Sequence, residues 1–378
     1  FTVRFKQPNA PFLQAVSTPS LGIESPSVLS GTPESACQRI VGSGPFTLRS
    51  YTSQQKMVLA KREGYRWAPA ALSRTKRESI NQVTITFAPE NGVRMGRLKS
   101  HQVDAVANVP PRDAGALSKN FKVLAREQPG LAYSLFVNPR VGPWGDVRLR
   151  RAFGKSINTQ QIVTSLYDGK YQRATSPLTT PTPGYLSLLK KDAYDPEEAR
   201  KLFTEAGWAK DSSGYLTKDG KRLSLTWTYP TPVKEQRDAL AQLVQQQLKT
   251  VGVEVKLNPK PIAEVVSRQS KGKWELSDLS ILRADGDLLR AFIQPSVPGG
   301  TPFMTDAELI RSIGVGTRSQ HQEERIVAYQ DAQRRLIDQA LLFPVYNPTS
   351  LIAASHAVHG LMFDAQGLPW FSRVRTGQ

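Results

Sequence analysis

The sequence predicts an α/β protein whose lobes are joined by two crossing segments, with a ligand cleft between the lobes. Three observations carry this expectation. Strand, helix and strand follow one another between Leu223 and Leu257, which is the pattern of a right-handed crossover onto a shared sheet. Two stiff, extended pieces interrupt the regular chain: the proline-rich run Ser176-Pro177-Leu178-Thr179-Thr180-Pro181-Thr182-Pro183-Gly184 and the later Phe343-Pro344-Val345-Tyr346. Finally, 378 residues with 39% hydrophobic and 22% charged content can build two or three folded domains. Placing the crossings at those two pieces divides the chain into residues 1–174, 175–342 and 343–378. A chain that leaves a lobe and returns to it forms a hinge, a geometry suited to enclosing a ligand.

In chain order, Phe1-Thr2-Val3-Arg4-Phe5 alternates like a strand already under way. The turn Gly42-Ser43-Gly44-Pro45 leads into a strand at Phe46-Thr47-Leu48. Lys56 to Ala60 and the alternating Val83, Ile85 and Phe87 predict two more. Few helices are expected before Asp146. That residue caps a helix carrying Leu149, Ala152 and Phe153, and Asn158 with Gln161 forms a capping box leading into Ile162, Val163 and Leu166. Asp195-Pro196-Glu197-Glu198 starts a helix that Gly207 ends. Leu223, Leu225, Trp227 and Tyr229 alternate as a strand. Leu240, Leu243, Val244, Leu248 and Val251 form a helical stripe closed by Gly252, and Val253, Val255 and Leu257 form the next strand. Thr305 with Glu308 is expected to cap a further helix. A longer one holds Ile326, Tyr329, Leu336, Ile337 and Ala340.

The net charge of +18 makes nucleic acid, an anionic surface or an acidic ligand candidate partners. The basic residues are scattered in twos and threes, as in Lys61-Arg62, Arg74-Lys76-Arg77, Arg148-Arg150-Arg151 and Arg334-Arg335, rather than drawn into a stripe. A solvated surface is the expectation, and no nucleic-acid partner. Cys37 is the single cysteine, which excludes an internal disulfide and thiolate zinc sites. No apolar run is long enough to span a bilayer, and the opening at Phe1 reads without a signal peptide, as expected of an exported protein after processing or of a fragment. His356 and His359 have helical metal-ligand spacing but no acidic or cysteine companion, so no metal and no cofactor are expected. Gly42-Ser43-Gly44-Pro45 fails as a phosphate loop because a strand follows and no Lys-Ser/Thr does. With no G-x-S-x-G and no histidine beside Cys37, the chain is not expected to be an enzyme.

One segment concentrates ionic groups: Leu282-Arg283-Ala284-Asp285-Gly286-Asp287-Leu288-Leu289-Arg290. It follows an apolar run, Leu276 to Leu282, broken by Ser277, Asp278 and Ser280. A strand ending in such a turn aims ionic groups at a cleft; the alternative is an ordinary solvated loop.

Several pieces together resemble a known family. They are Val41-Gly42-Ser43-Gly44-Pro45-Phe46, Gly145-Asp146-Val147-Arg148-Leu149-Arg150-Arg151-Ala152-Phe153, Tyr194-Asp195-Pro196-Glu197-Glu198-Ala199-Arg200 with Ala206-Gly207-Trp208, the stretch Gln245 to Val255, and Leu342-Phe343-Pro344-Val345-Tyr346. In this order they resemble the extracytoplasmic solute-binding proteins of family 5, the peptide-, oligopeptide- and nickel-binding components of ABC importers. The resemblance implies a periplasmic-binding-protein-like fold of type II, cluster C. Residues 1–174 then correspond to the main lobe, 175–342 to the third lobe and 343–378 to the return to the main lobe. It also implies that the family's first strands and small second lobe are missing, whether cleaved, omitted or a separate chain. On that view Phe1 to Lys6 present an unpaired sheet edge.

In peptide-binding relatives an Ala-Asp pair after a third-lobe strand supplies the carboxylate for the ligand's α-amino group. The resemblance carries this role to Asp285 of Ala284-Asp285. Leu282 stands where such relatives often carry a pocket tryptophan, and Arg283 adds a positive charge that suits a ligand carboxylate or phosphate. Tyr133, Phe136 and Asn138 match main-lobe positions lining the cleft; ordinary core packing is the alternative for Tyr133 and Phe136. Tyr346 is a further candidate. The expected function is capture of a peptide or an amine- and acid-bearing small molecule for a membrane permease, by a monomer outside the cytoplasm, in the periplasm or as a cell-surface lipoprotein. The rival expectation is the ligand-sensing domain of a cytoplasmic transcriptional regulator, a setting in which the same fold occurs.

Overall fold

A computed structural model of the chain describes residues 2–36, 38–68, 80–188, 194–231, 236–294 and 304–377. Phe1, Cys37 and the basic cluster Arg74-Lys76-Arg77 lie outside the described residues. The chain forms two compact units. One comprises Phe12–Arg126 with Ser350–Gln378, the other Phe1–Pro11 with Glu127–Thr349.

The unit holding Phe12–Arg126 contains an antiparallel meander of β1 (Phe46–Thr52), β2 (Lys56–Lys61) and β3 (Gln82–Thr86). The expected Val83/Ile85/Phe87 alternation holds at Val83, which is buried, while Phe87 falls past the strand end and is exposed. Two helices follow that the sequence reading did not anticipate: α1 (Asn91–Lys99), which buries Met95 and Leu98, and α2 (Pro111–Leu117), which buries Ala114 and Leu117. Both are short and glycine-containing, so their 3.6-residue period spans barely two turns. β4 (Ala105–Ala107) and β5 (Lys122–Glu127) flank the strand Thr349–Ala354 in a three-stranded sheet.

The other unit is built on a six-stranded mixed sheet. Its elements are β6 (Gly130–Val137), α3 (Val147–Lys155), α4 (Thr159–Tyr167), β7 (Gln172–Arg173), α5 (Pro196–Glu205), β8 (Ser224–Pro230), α6 (Arg237–Val251), β9 (Glu254–Lys260), α7 (Ile262–Ser270), β10 (Leu276–Leu282), α8 (Ala307–Arg318), α9 (Gln322–Asp338) and β11 (Phe343–Asn347). The strand order is β9-β8-β10-β6-β11-β7. β8 pairs parallel with β9, from Ser224 opposite Glu254 to Pro230 opposite Lys260, with α6 as the connection. This is the expected crossover. Gly252 stops α6 at φ +94°, where its N–H returns to the carbonyls of Leu248 and Lys249. β6 lies at the centre, antiparallel to β10 and β11, and every one of its residues is buried. That accounts for the apolar character of Leu131 to Val137, which Ser134 alone interrupts.

Four local expectations are corrected. Val3 and Phe5 lie in irregular chain and are exposed, because no neighbouring strand among the described residues offers a ladder to that segment. The cap of α8 is Asp306, whose Oδ1 accepts from the Leu309 N–H at 2.9 Å, rather than Thr305. Asn158 caps α4 through a 2.9 Å bond from the Gln161 N–H, but the reciprocal half of the capping box comes from elsewhere. The Asn158 N–H donates to Gln247 Oε1 of α6 at 3.0 Å, and the Gln247 amide donates in turn to Gln161 Oε1. The proline-rich run does not separate compact units. Ala132 N–H donates to the Pro177 carbonyl and Thr179 N–H to the Gly130 carbonyl, both at 2.9 Å, so the run docks along β6. The units divide at 126/127 and 349/350, and the expected boundary at 174/175 falls within one of them.

Candidate functional site

From Asp285 to Leu289 the ionic segment after β10 is buried rather than solvated. Arg283 is held at its backbone, where its N–H donates to the Pro129 carbonyl at 3.1 Å. Beside it Gly130, at φ +138°, passes so close to β10 that a Cβ there would meet the Ile281 carbonyl oxygen at 1.9 Å. Asp285 then caps a 3-10 turn, Gly286–Phe292, with Oδ1 accepting from the Asp287 N–H at 2.9 Å.

The Asp285 carboxylate has a second partner from α9. Arg325 Nη2 lies 2.8 Å from Oδ1 and 2.7 Å from Oδ2, and both side chains are 10% exposed. Arg325 is itself fixed: Nε donates to the Gly316 carbonyl and Nη1 donates to Gln322 Oε1. Asp287 is satisfied separately, by Thr317 Oγ1 at 2.8 Å and Arg290 Nη2 at 2.7 Å; burial pushes its carboxyl above the usual range. The Tyr329 ring packs against Gly286 and Gly316, where an added Cβ would meet it at 2.5 and 2.4 Å. Asp285, Gly286, Gln322, Arg325 and Tyr329 line a small cavity with Pro183 and Ile326, and Tyr329 Oη is buried there without a hydrogen bond among the described residues.

A second polar cluster lies on the same sheet. Tyr133 of β6 donates from Oη to Asp278 Oδ2 of β10 at 2.7 Å, and Arg237, at the start of α6, donates from Nη1 to Asp278 Oδ1 at 2.8 Å. The Arg237 guanidinium stands 4.4 Å from the centre of the Tyr133 ring, a cation–π contact. Burial raises the Asp278 carboxyl, with Arg237 and Tyr133 opposing it, and burial raises the Tyr133 phenol well above its ordinary value. Tyr346 stacks on Tyr133 at 4.6 Å and also meets Tyr167 and Tyr171.

The sequence-predicted residues therefore fall into three settings. Leu282, Arg283 and Asp285 share the end of β10, with Leu282 exposed and Arg283 half-buried. Tyr133 and Tyr346 share the Asp278 cluster. Phe136 packs on Trp274 and Phe292 in the core, and Asn138 bonds the Trp274 carbonyl from its side chain at 2.9 Å. Tyr133 and Phe136 are three apart on a strand of period two, so their side chains leave opposite faces. Asp278, Arg237 and Arg325 were missed. Asp278 carried a signal, a carboxylate within the apolar run of β10; Arg237 and Arg325 are two of many arginines in the sequence, with no local pattern to mark their burial.

Neither cluster pairs a nucleophile with a base. No group of three or more metal-ligating side chains, His356 and His359 included, forms among the described residues, and no helix there is long and apolar enough to cross a membrane.

Comparison with known proteins agrees with this architecture. The model of the bacterial extracellular solute-binding proteins, family 5 Middle, matches residues 1–293. Di/tripeptide-binding protein 2 of Pseudomonas aeruginosa is 24% identical over 99% of this chain and 70% of its own length. The dipeptide-binding protein of the same species is 24% identical over 87% of this chain, and the chain spans only 60% of that relative's length. Among solved structures, NikA from Brucella suis in complex with Fe(III)-EDTA superposes with a TM-score of 0.85, covering 99% of this chain and 76% of that one at 22% identity. DppA from Helicobacter pylori in complex with a peptide gives 0.77 over 99% of this chain and 71% of that one at 20% identity. These similarities establish the expected type II periplasmic-binding-protein fold.

Proposed function

The chain belongs to the bacterial extracellular solute-binding proteins of family 5, and from that premise we propose that it captures a peptide or an amine- and acid-bearing small molecule for an ABC importer. Two of the relatives are named as binding proteins for dipeptides or for di- and tripeptides. The carrying observation is the ionic segment at the end of β10, where Arg283 and Asp285 are held two residues apart by backbone bonds. In this reading Arg283 takes a ligand carboxylate or phosphate and Asp285 a ligand amine, charge-assisted contacts of the stronger kind. Leu282 supplies exposed apolar surface beside them. Tyr133, Phe136, Asn138 and Tyr346, expected to line the cleft, are all buried and belong to β6, its end and β11 of the same sheet. The protein acts outside the cytoplasm, as a periplasmic or lipid-anchored monomer that hands its ligand to a membrane permease.

Native mass spectrometry of the purified protein tests this. A small adduct, present under native conditions and lost on denaturation, supports the reading and identifies the ligand. A bare chain in both conditions, together with no thermal stabilisation by a panel of di- and tripeptides, overturns it.

A further inference from the structure

The charges of the segment do not balance, and the imbalance bears on what the site selects. Two carboxylates, Asp285 and Asp287, stand against three arginines, Arg283 and Arg290 of the segment and Arg325 of α9. Arg290 is paired with Asp287 and Arg325 with Asp285. The Arg283 side chain makes no hydrogen bond or ion pair among the described residues, although its backbone is fixed and its surface half-buried. The net charge left unanswered is therefore positive, and it belongs to Arg283.

Resting on the proposed function for the acid-reading role of Arg283, and revising its assignment of a ligand amine to Asp285, we infer that Arg325 acts as a built-in occupant of Asp285, so that the site selects its ligand by an acid group read by Arg283 while a ligand amine is dispensable. A single nitrogen of Arg325 bridges both Asp285 oxygens, in the position an incoming ammonium would take. Both partners are nearly sealed from water. An amine can recruit Asp285 only by sharing or displacing Arg325, and displacing it strands a guanidinium whose other bonds, to Gly316 and Gln322, hold it in place. The gain from an ion pair with a ligand amine is then offset by the loss of one already made. An acid group meets no such competitor at Arg283, whose planar donors suit a carboxylate or phosphate. Arg325 is thus a specificity-determining residue that need not touch the ligand.

The test compares three probes on the full chain by calorimetric titration: dialanine, N-acetyl-dialanine, which lacks the amine, and dialanine amide, which lacks the acid. The expected result is that acetylation changes the affinity less than about threefold while amidation weakens it at least tenfold. In Arg325→Gln the amine should begin to matter, with dialanine at least tenfold tighter than its acetylated form; Arg283→Gln should weaken both acid-bearing probes at least tenfold. If Arg325→Gln does not fold, the wild-type comparison decides alone. A tenfold loss on acetylation with none on amidation overturns the inference. Equal binding of all three also overturns it, together with both charge-reading roles, and leaves only the capture of a peptide-like ligand standing. Binding of none, by wild type or variant, sinks the peptide-like reading and this inference with it.

Discussion

Arg237 and Asp278 form an ion pair 2.8 Å long in which the side chains are 7% and 0% exposed. The arginine opens a helix and the aspartate sits within a strand of the central sheet, 41 residues later in the chain. Such a pair is costly to break from one side, because the remaining charge stays buried. Arg237→Leu should lower the stability of the chain by about 3–5 kcal/mol in urea unfolding. The double variant Arg237→Leu/Asp278→Leu should recover most of that loss, since no charge is stranded. A single variant as stable as wild type would show that the pair does not hold α6 against β10.

Asp306 offers a pH-dependent readout. Hydrogen bonds from Arg335 hold its carboxyl below the ordinary value of 3.8. The folded chain therefore binds this proton more weakly than the unfolded chain does. The resulting stability is fully present above about pH 4 and is lost as the pH falls through the folded-state value. Asp306→Asn keeps a good helix cap but loses the charge. Its deficit against wild type should be largest near neutrality and shrink on acidification; a deficit constant from neutral to acid pH would rule out the charge as its source.

Gly130 has no room for a side chain. It combines φ +138° with the Ile281 carbonyl 1.9 Å from a hypothetical Cβ. Gly130→Ala should cost about 3 kcal/mol, from backbone strain and overpacking together. It should also loosen the Arg283 backbone bond to Pro129, visible as faster amide exchange at Arg283. Wild-type exchange there would mean that β6 and β10 part elsewhere.

The cap of α4 is shared between helices. Asn158→Ala should cost about 1 kcal/mol for the lost cap. Gln247→Ala should cost a similar amount, although it lies in α6, because it leaves the part-buried Asn158 N–H without its acceptor. An effect of Gln247→Ala well below that of Asn158→Ala would show that water replaces the glutamine.

What the sequence by itself determined was local and periodic. The alternation of Leu223 to Tyr229, the stripe of α6 and its Gly252 stop, the Asp195-Pro196 helix start and the apolar run of β10 all express short-range sterics and one-sided burial, which a linear pattern records directly. The ordered motifs also carried the family. Where a fold depends on partners distant in the chain, the pattern was silent or misleading. The proline-rich run read as a crossing because stiffness is local, yet its carbonyl and amide partners on β6 are tertiary. The capping box of α4 was half right because Gln247 intervenes from another helix. Above all, Asp285 and Arg283 could be placed side by side from the sequence, but not their charge states of engagement. Coulombic pairing acts through space, and only the packing of α9 against the turn after β10 brings Arg325 onto Asp285 and leaves Arg283 as the unanswered charge.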